Sequence, residues 1–468
     1  MKILYYNWTP QGVNGGGVAI YIENILSYVR AQSNEMNWDI VFLSSGYYYD
    51  DCNKMYIKRM DDYYGFKCYT IVNSPCYAPH GGPKDMYRAM IHDHKLYNLI
   101  DAFVFQHDGF DVIHFQSLEG LSPNVLKLKE RYPNVHFIHT LHDYGVFCSN
   151  VKLWNSGNYN CYLSSVRDCG ICMKKYLNSS LWHIIRIRKR YQLNLKVSLR
   201  ERIYVKLYGL CEKITPPLLG RIRIRLLGLV LDKYRRLTVS NINKYVDCVL
   251  AVSKRVGEVA ESFGICSDKI RVSYIGTKIA ERPLPPAYIG RAVLSPFTIL
   301  YMGYINTVKG AFLFLDMLDN IPDEEAKEIK VKFASKISDN EVRDRIETLK
   351  GKYQDIEIFD GYTHADFPQI FSQVDLGVVP PIWEDNLPQV AIETIANGVP
   401  VLTSCYGGAH ELNGHPDFVF KDGMELQFKL LKIKKDRTLL SDYWNYSSKL
   451  TTMAMHIKEL SSIYGVDK

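Results

Sequence analysis

No run of about 18 uninterrupted apolar residues, the least that makes a membrane-spanning helix, occurs anywhere in the 468-residue chain. The start, MKILYYNWTPQG, passes from a single lysine into a strand-like segment, without the long apolar region and small-residue cleavage site of a secretory leader. Both absences lead us to expect an intracellular protein. Eleven cysteines, an odd number scattered over the chain, do not read as a secreted disulfide framework; in a reducing compartment they are thiols or metal ligands. No internal repeat or low-complexity tract is present, and no nucleic-acid recognition motif accompanies the basic residues. The dinucleotide fingerprint GxGxxG is also missing: Gly15, Gly16 and Gly17 precede a helical pattern, but position 20 is Ile.

What is there is ordinary globular composition, 47% hydrophobic and 23% charged, with length enough for two full-sized domains. The net charge of +7 is local. Between His183 and Arg236 stand 15 Lys/Arg against 3 Asp/Glu, so that this stretch carries +12 and the remainder −5. Short apolar runs bounded by polar or turn residues alternate with helical patterns: KILYYNW, DIVFLSS, DVIHFQS, VHFIHTL and CVLAVS in the first part, FTILYMGY, KVKFAS, IEIFDG, LGVVPP and PVLTS in the second. Prolines 283, 285, 286 and 296 mark a linker between the two series. This alternation predicts two doubly wound, Rossmann-like α/β domains, 1–285 and 286–468, facing an interdomain cleft, with the last helical stretch free to pack across either.

Several stretches suit a phosphate-bearing ligand. Glycines at 16 and 17 let the backbone approach a ligand where helix amides attract anions. Lys309-Gly310 lies just before a helix, where a cation meets the positive end of the dipole and gains little unless an anion sits there too. Gly407 and Gly408, followed by Glu411, repeat the strand, Gly-Gly, acid pattern. Asp385 precedes a helix that contains Glu393, so two carboxylates can face one pocket. His139, His142 and Asp143 end a strand, where an imidazole can donate to a sugar hydroxyl or phosphate, or simply be a satisfied structural histidine.

Taken in order, the glycine loop, DVIHFQ, HTLHD, VLAVSKRVGE, GYINTVKG, DLGVVPPIWEDNLPQVAIETIANGVPVLTS and GGAHEL resemble the retaining glycosyltransferases of the GT-B fold, specifically the large family 4. The resemblance spans most of the chain. It implies transfer of a sugar from a nucleoside diphosphate sugar, UDP or GDP, with retention at the anomeric carbon. Glu393 then holds the ribose hydroxyls, Asp385 the donor sugar, and His142 lies where the family's sugar-contacting histidine is found. Lys309 takes the diphosphate, and Gly16, Gly17, Tyr304, Glu384, Asn386, Leu387, Gly407 and Gly408 complete the donor site. The implied catalytic set is His142, Lys309 and Asp385. The family is thought to use same-face displacement in which the leaving phosphate takes the acceptor's proton, so no metal or other cofactor is required for the reaction. Two positions depart from the pattern. Asp385 stands where Glu is common, with Glu384 beside it as an alternative, and Tyr304 stands where Arg is frequent.

Two further segments bear on partners. Cys148, Cys161, Cys169 and Cys172 fall within 25 residues, enough for a structural tetrahedral zinc site; free reduced thiols or a disulfide are the alternatives. In the basic insertion, about 177–240, Arg186, Lys189, Arg190, Lys196 and Arg200 share an arc of about 120° at 100° per residue, opposite Ile184, Ile187, Tyr191 and Leu195. Such a helix favours an anionic membrane surface, against the plainer reading of a solvated charged face. Together these give a peripheral enzyme on the cytoplasmic face of the membrane, extending a lipid-linked or polysaccharide acceptor in cell-envelope glycan biosynthesis. A nucleotide-sugar epimerase of the same architecture and a catalytically weak, membrane-associated partner protein are the competing readings.

Overall fold

The computed structural model describes residues 1–174, 199–200, 203, 217–286 and 296–465, apart from 14–15, 35, 51, 53, 80–81, 83, 157–158 and 163–164. The wheel around Arg186 therefore lies outside the described residues. The chain divides into two compact units: Met1–Val252 with Val256–Ser273 and Ile457–Lys468, and Ser253–Arg255 with Tyr274–His456.

The first unit holds an eight-stranded sheet. Its strands are β1 (Lys2–Tyr6), β2 (Asp39–Tyr48), β3 (Tyr56–Arg59), β4 (Lys67–Val72), β5 (Val112–Phe115), β6 (His136–Leu141), β7 (Cys248–Ala251) and β8 (Ile270–Val272), in the order β3-β4-β2-β1-β5-β6-β7-β8. Every pairing is parallel except β3 with β4. A parallel sheet is covered on both faces, which is why Ile3 to Tyr6 and Val112 to Phe115 are buried without alternation. Helix α1 (Gly17–Ala31) follows β1 and buries Tyr21, Ile22, Ile25, Leu26 and Val29, a stripe at helical spacing.

The second unit is a six-stranded, all-parallel sheet of β9 (Phe297–Met302), β10 (Ile329–Ser335), β11 (Asp355–Asp360), β12 (Leu376–Val379), β13 (Val401–Ser404) and β14 (Val419–Phe420). Its order, β11-β10-β9-β12-β13-β14, is the 3-2-1-4-5-6 winding of a Rossmann fold. All six residues of β9 are buried. The winding reverses between β9 and β12, and in the first unit between β1 and β5, so a crevice opens beyond the carboxyl ends of those strands. All ten expected strands are present. The strands not anticipated, β3, β4, β8 and β14, are edge strands or their neighbours.

The last helix, Met453–Tyr464, contributes its end to the first unit. The Tyr464 hydroxyl lies 2.7 Å from the Tyr5 hydroxyl and 2.7 Å from His114 Nδ1, and His114 Nε2 is 2.7 Å from Thr140 Oγ1. All four side chains are buried, so each hydrogen bond replaces one to water that folding removed. Among the described residues no helix is long and apolar enough to cross a membrane. Tyr464→Phe is expected to lower unfolding stability by roughly 1–3 kcal/mol, the cost of removing a partner shared by two buried polar groups. A urea midpoint equal to that of the parent would show that the network contributes nothing.

Candidate functional site

In the second unit the loops after β9 and β12 are joined. Ile382 N–H donates to the Val308 carbonyl at 3.0 Å, and Lys309 Nζ donates to Asp385 Oδ2 at 2.6 Å, 5.5 Å from the Trp383 ring centroid. Gly310 adopts φ +75° before helix α2 (Ala311–Asn320), and a Cβ there would stand 1.6 Å from the Pro380 carbonyl oxygen. Only glycine permits this approach, which seats Lys309 at the start of the helix and at the carboxyl end of β9. A lysine beside the helix's positive end needs a negative partner, and Asp385 supplies it.

Glu384 does something different from what was expected of it. Its carboxylate is 2% exposed, and it accepts from Arg255 Nε and Nη2 at 3.0 Å each and from the Gly407 N–H at 3.0 Å. A buried carboxylate gripped by a guanidinium fork holds the loop and is not offered to a ligand. Gly407, at φ +69°, lies so close that a Cβ would be 2.0 Å from the Asp385 carbonyl oxygen, and Gly408 N–H donates to that oxygen at 2.8 Å. Asn386 and Leu387 are buried in the same loop, the Asn386 Nδ2 without a hydrogen-bond partner. Glu411, expected beside a phosphate-binding turn, instead accepts from the backbone N–H groups of Lys254 and Arg255 at 2.8 Å and from the Tyr274 hydroxyl at 2.7 Å.

Glu393 lies in helix α3 (Gln389–Ala396), which follows β12, and its Oε1 is 3.1 Å from His364 Nε2. The Glu393 carboxylate holds the His364 imidazole above its usual pKa. Burial, then Glu393 and Tyr304, push the Tyr362 phenol up. Tyr304 itself is exposed, its carbonyl accepting from the Tyr301 hydroxyl at 2.8 Å. Arg255 and His364 were not singled out from sequence. Arg255 carried a signal like that of Lys309, a cation at a helix start, since it is the second residue of the helix Lys254–Ser262.

In the first unit Gly16 caps α1 at φ +71°, with Gly17 the first helical residue. His142 Nε2 is 2.9 Å from Gln116 Oε1, and its ring lies 4.7 Å from that of Tyr21 on α1. The ends of α1, β5 and β6 thus meet at His142. His139 is buried, its pKa lowered to about 4 by loss of solvation, and its Nδ1 donates to the Phe115 carbonyl at 2.9 Å. Cys148, Cys161, Cys169 and Cys172 line one cavity, and burial pushes the Cys148 thiol up to about 12. Among the described residues no three His, Cys, Asp or Glu side chains are grouped so as to hold a metal ion, so the four thiols share a cavity without forming a cage.

Residues 291–450 match the family model described as glycosyl transferases group 1. A Bacillus subtilis (strain 168) protein bearing the name glycosyltransferase YtcC is 27% identical over 186 residues, 36% of this chain and 46% of that relative. The chain thus spans about half the length of this curated relative. Among solved structures, Anabaena HepE in complex with UDP superposes with a TM-score of 0.58 at 13% identity, covering 100% of both chains. Sucrose-phosphate synthase from Thermosynechococcus elongatus does so at 0.57 and 16% identity, covering 99% of this chain and 98% of its own.

The His364 ion pair is checked by titration. With its folded pKa raised, His364 contributes stability that is full below the ordinary value near 6.5 and is lost as pH rises through the raised one. Histidine NMR should show the His364 midpoint falling back toward the ordinary value in Glu393→Gln; an unmoved midpoint would mean the pair does not form in solution. The two Rossmann-like units have the fold of the GT-B glycosyltransferases, and within the second unit the stretch 291–450 is similar to the group 1 glycosyl transferases.

Proposed function

We propose that the protein is a retaining, metal-independent glycosyltransferase of family 4 that takes a sugar from a nucleoside diphosphate sugar. The observation that carries this reading is the joining of Lys309 to Asp385 beyond β9 and β12, where the winding of the second sheet reverses, with Glu393 on the helix that follows. Open α/β sheets bind ligands at that reversal. The binding of UDP by a structural neighbour supports a uridine donor.

The chemistry asks for stabilisation of a departing diphosphate. As the bond between the anomeric carbon and the phosphate oxygen breaks, negative charge gathers on that oxygen, and Lys309 with the amides opening α2 meets it. The acceptor hydroxyl oxygen bonds to the same face of the anomeric carbon, and its proton passes to the leaving phosphate. Asp385 turns from Lys309 to a donor sugar hydroxyl, Glu393 accepts from the ribose hydroxyls, and His142 donates to the sugar. Lysine and helix amides supply the positive charge a divalent cation would otherwise bring, so activity should survive chelation. The epimerase and silent-partner readings are less favoured, because Lys309, Asp385 and Glu393 occur together around one reversal of the sheet.

The acceptor is proposed to be lipid-linked or polysaccharide, in envelope glycan synthesis on the cytoplasmic face of the membrane. Support comes from the helix Pro217–Tyr245. At about 100° per residue, Ile222, Leu226 and Leu229 fall in an arc of about 60°. They are 54%, 40% and 49% exposed, and Arg221, Arg225, Lys233 and Arg236 are exposed alongside them. The one acid on this helix, Asp232, is buried against Arg235 and Arg236. An apolar stripe bordered by cations suits the interface of an anionic bilayer, each cation contributing about 1 kcal/mol.

Calorimetry with UDP, GDP and ADP tests the donor site: one nucleotide should bind, and Glu393→Ala should weaken it by about 100-fold, the loss of a charged acceptor to two hydroxyls. Unchanged affinity would remove Glu393 from the ribose. For the membrane, replacing Arg221, Arg225 and Lys233 by Glu should abolish co-sedimentation with phosphatidylglycerol vesicles at 0.1 M salt, and retention by the vesicles would sink that part of the proposal.

A further inference from the structure

Glu393, the carboxylate that the proposed function assigns to the ribose, has a partner of its own in the second unit. His364 Nε2 lies 3.1 Å from its Oε1, with 65% of the His364 side chain exposed and only 14% of the Glu393 side chain. His364 stands in the turn that follows β11, and Glu393 on α3, which follows β12, so the contact reaches from one side of the sheet's reversal to the other. The turn that presents the imidazole is itself fixed. Asp366 Oδ2 accepts from the Thr363 N–H at 2.7 Å and from the Thr363 hydroxyl at 3.0 Å, while the Asp366 N–H donates to the Thr363 carbonyl at 3.0 Å. The ring of Phe367, a buried core residue, meets the His364 ring at 88° with the centroids 4.8 Å apart. An exposed histidine on a loose turn would swing; this one is held from behind.

A glutamate carries its carboxylate on three rotatable bonds, and a ligand that must hold it still gives up part of its binding energy to do so. An ionised carboxylate has about four lone-pair positions on its two oxygens. His364 takes one and a ribose diol needs two, so histidine and ribose fit on Glu393 together without exchange. The imidazole thus hands the carboxylate to the ligand already aimed. When charged, it also offsets a carboxylate that would otherwise repel the diphosphate of the same nucleotide. Both effects have one sign: they favour the nucleotide. The other titratable groups about the pair do not change charge near neutrality. Tyr362 and Tyr304 are phenols, a class that titrates well above it, and the Thr363 N–H and hydroxyl hold the Asp366 carboxyl below its usual range.

We infer that His364 is a positioning residue of the donor site, which holds the Glu393 carboxylate in the orientation that receives the ribose hydroxyls. The inference rests on the transferase reading, in which Glu393 meets the ribose, and adds to it a residue that acts only through that carboxylate. It carries a pH dependence of definite sign. The contact with Glu393 raises the His364 pKa, so the imidazolium persists above the ordinary value near 6.5. Nucleotide affinity is therefore full below that value and declines as pH rises through the raised one, where the neutral ring donates a weaker, uncharged hydrogen bond.

The test is calorimetry of the full chain with UDP-glucose, whose diphosphate is esterified at both ends and so does not itself titrate near neutrality, from about pH 6 to about pH 9. The parent's affinity should fall by about threefold across the His364 titration, as the charge assistance is lost. His364→Ala should bind about fivefold more weakly than the parent at the acid end, the ordering of one long side chain, with no such fall. His364→Gln keeps an N–H of similar reach without the charge, and should match the parent's alkaline affinity at every pH. In a Glu393→Gln background, His364→Ala should weaken binding no further, because the carboxylate to be positioned is gone. Equal affinity of parent and His364→Ala throughout, or a loss that persists undiminished in the Glu393→Gln background, would overturn the inference while leaving the donor site standing. Tighter binding by His364→Ala would overturn it too, since the imidazole would then be an obstruction that the ribose has to displace. A parent chain that binds no UDP-glucose at any pH would overturn the uridine-donor reading and this inference with it, a result visible before any variant is made.

Discussion

A carboxylate taken out of water must be met by charge and hydrogen bonds, and Glu384 imposes that demand on the loops beyond the carboxyl ends of the second unit's strands. The Arg255 fork and the Gly407 amide satisfy it. In doing so they tie three separated pieces of chain, around 255, 384 and 407, to one point. The loop from Trp383 to Leu387 is thereby fixed in a shape that turns Asp385 toward Lys309, and the turn at Gly407 and Gly408 is pressed against that loop too closely for any side chain to intervene. Adjacent acids thus have opposite fates: one is spent on the scaffold, the other is held at the mouth of the sheet.

The pairing of Lys309 with Asp385 has a consequence for binding. A lysine at a helix start is poised for an anion, and in the free protein a carboxylate already occupies that role. A diphosphate would replace this contact, so its affinity reflects an exchange of one anion for another. Asp385, once displaced, is a bare acceptor beside the newcomer. An incoming group that brings both a diphosphate and a hydroxyl compensates both residues, whereas inorganic phosphate compensates only the lysine. Under the proposed function, selectivity for the conjugate over its fragments would follow from two charges that must be satisfied together.

Much of this was legible in the residues. The central strands are buried on both faces, so they announce themselves as continuous apolar runs, and all ten are where KILYYNW, FTILYMGY and their companions placed them. The edge strands β3, β8 and β14 escaped because two to four residues leave little run to find, whereas β11, also at an edge, has six. Lys309 was found by an electrostatic oddity, and Arg255 could have been by the same rule. The inward turn of Glu384 could not, since two neighbouring acids differ only in which one a distant arginine reaches. The same limit applies to His364 and to His139. Whether a histidine is paired, exposed or orphaned depends on contacts across 24 to 29 residues, such as those to Phe115 and Glu393, to which spacing is blind.

Tyr464 closes the hydrogen-bonded set of Tyr5 and His114, yet between them in sequence comes nearly all of the second unit. On the ribosome, the sheet that begins with residue 2 is therefore complete in strands long before it is complete in contacts. Its innermost tyrosine waits, without its partner, while about two hundred further residues are made and folded. A nascent chain in that interval presents a half-sealed sheet centre to chaperones and proteases, and damage near residue 464 would be felt first at the opposite end of the polypeptide.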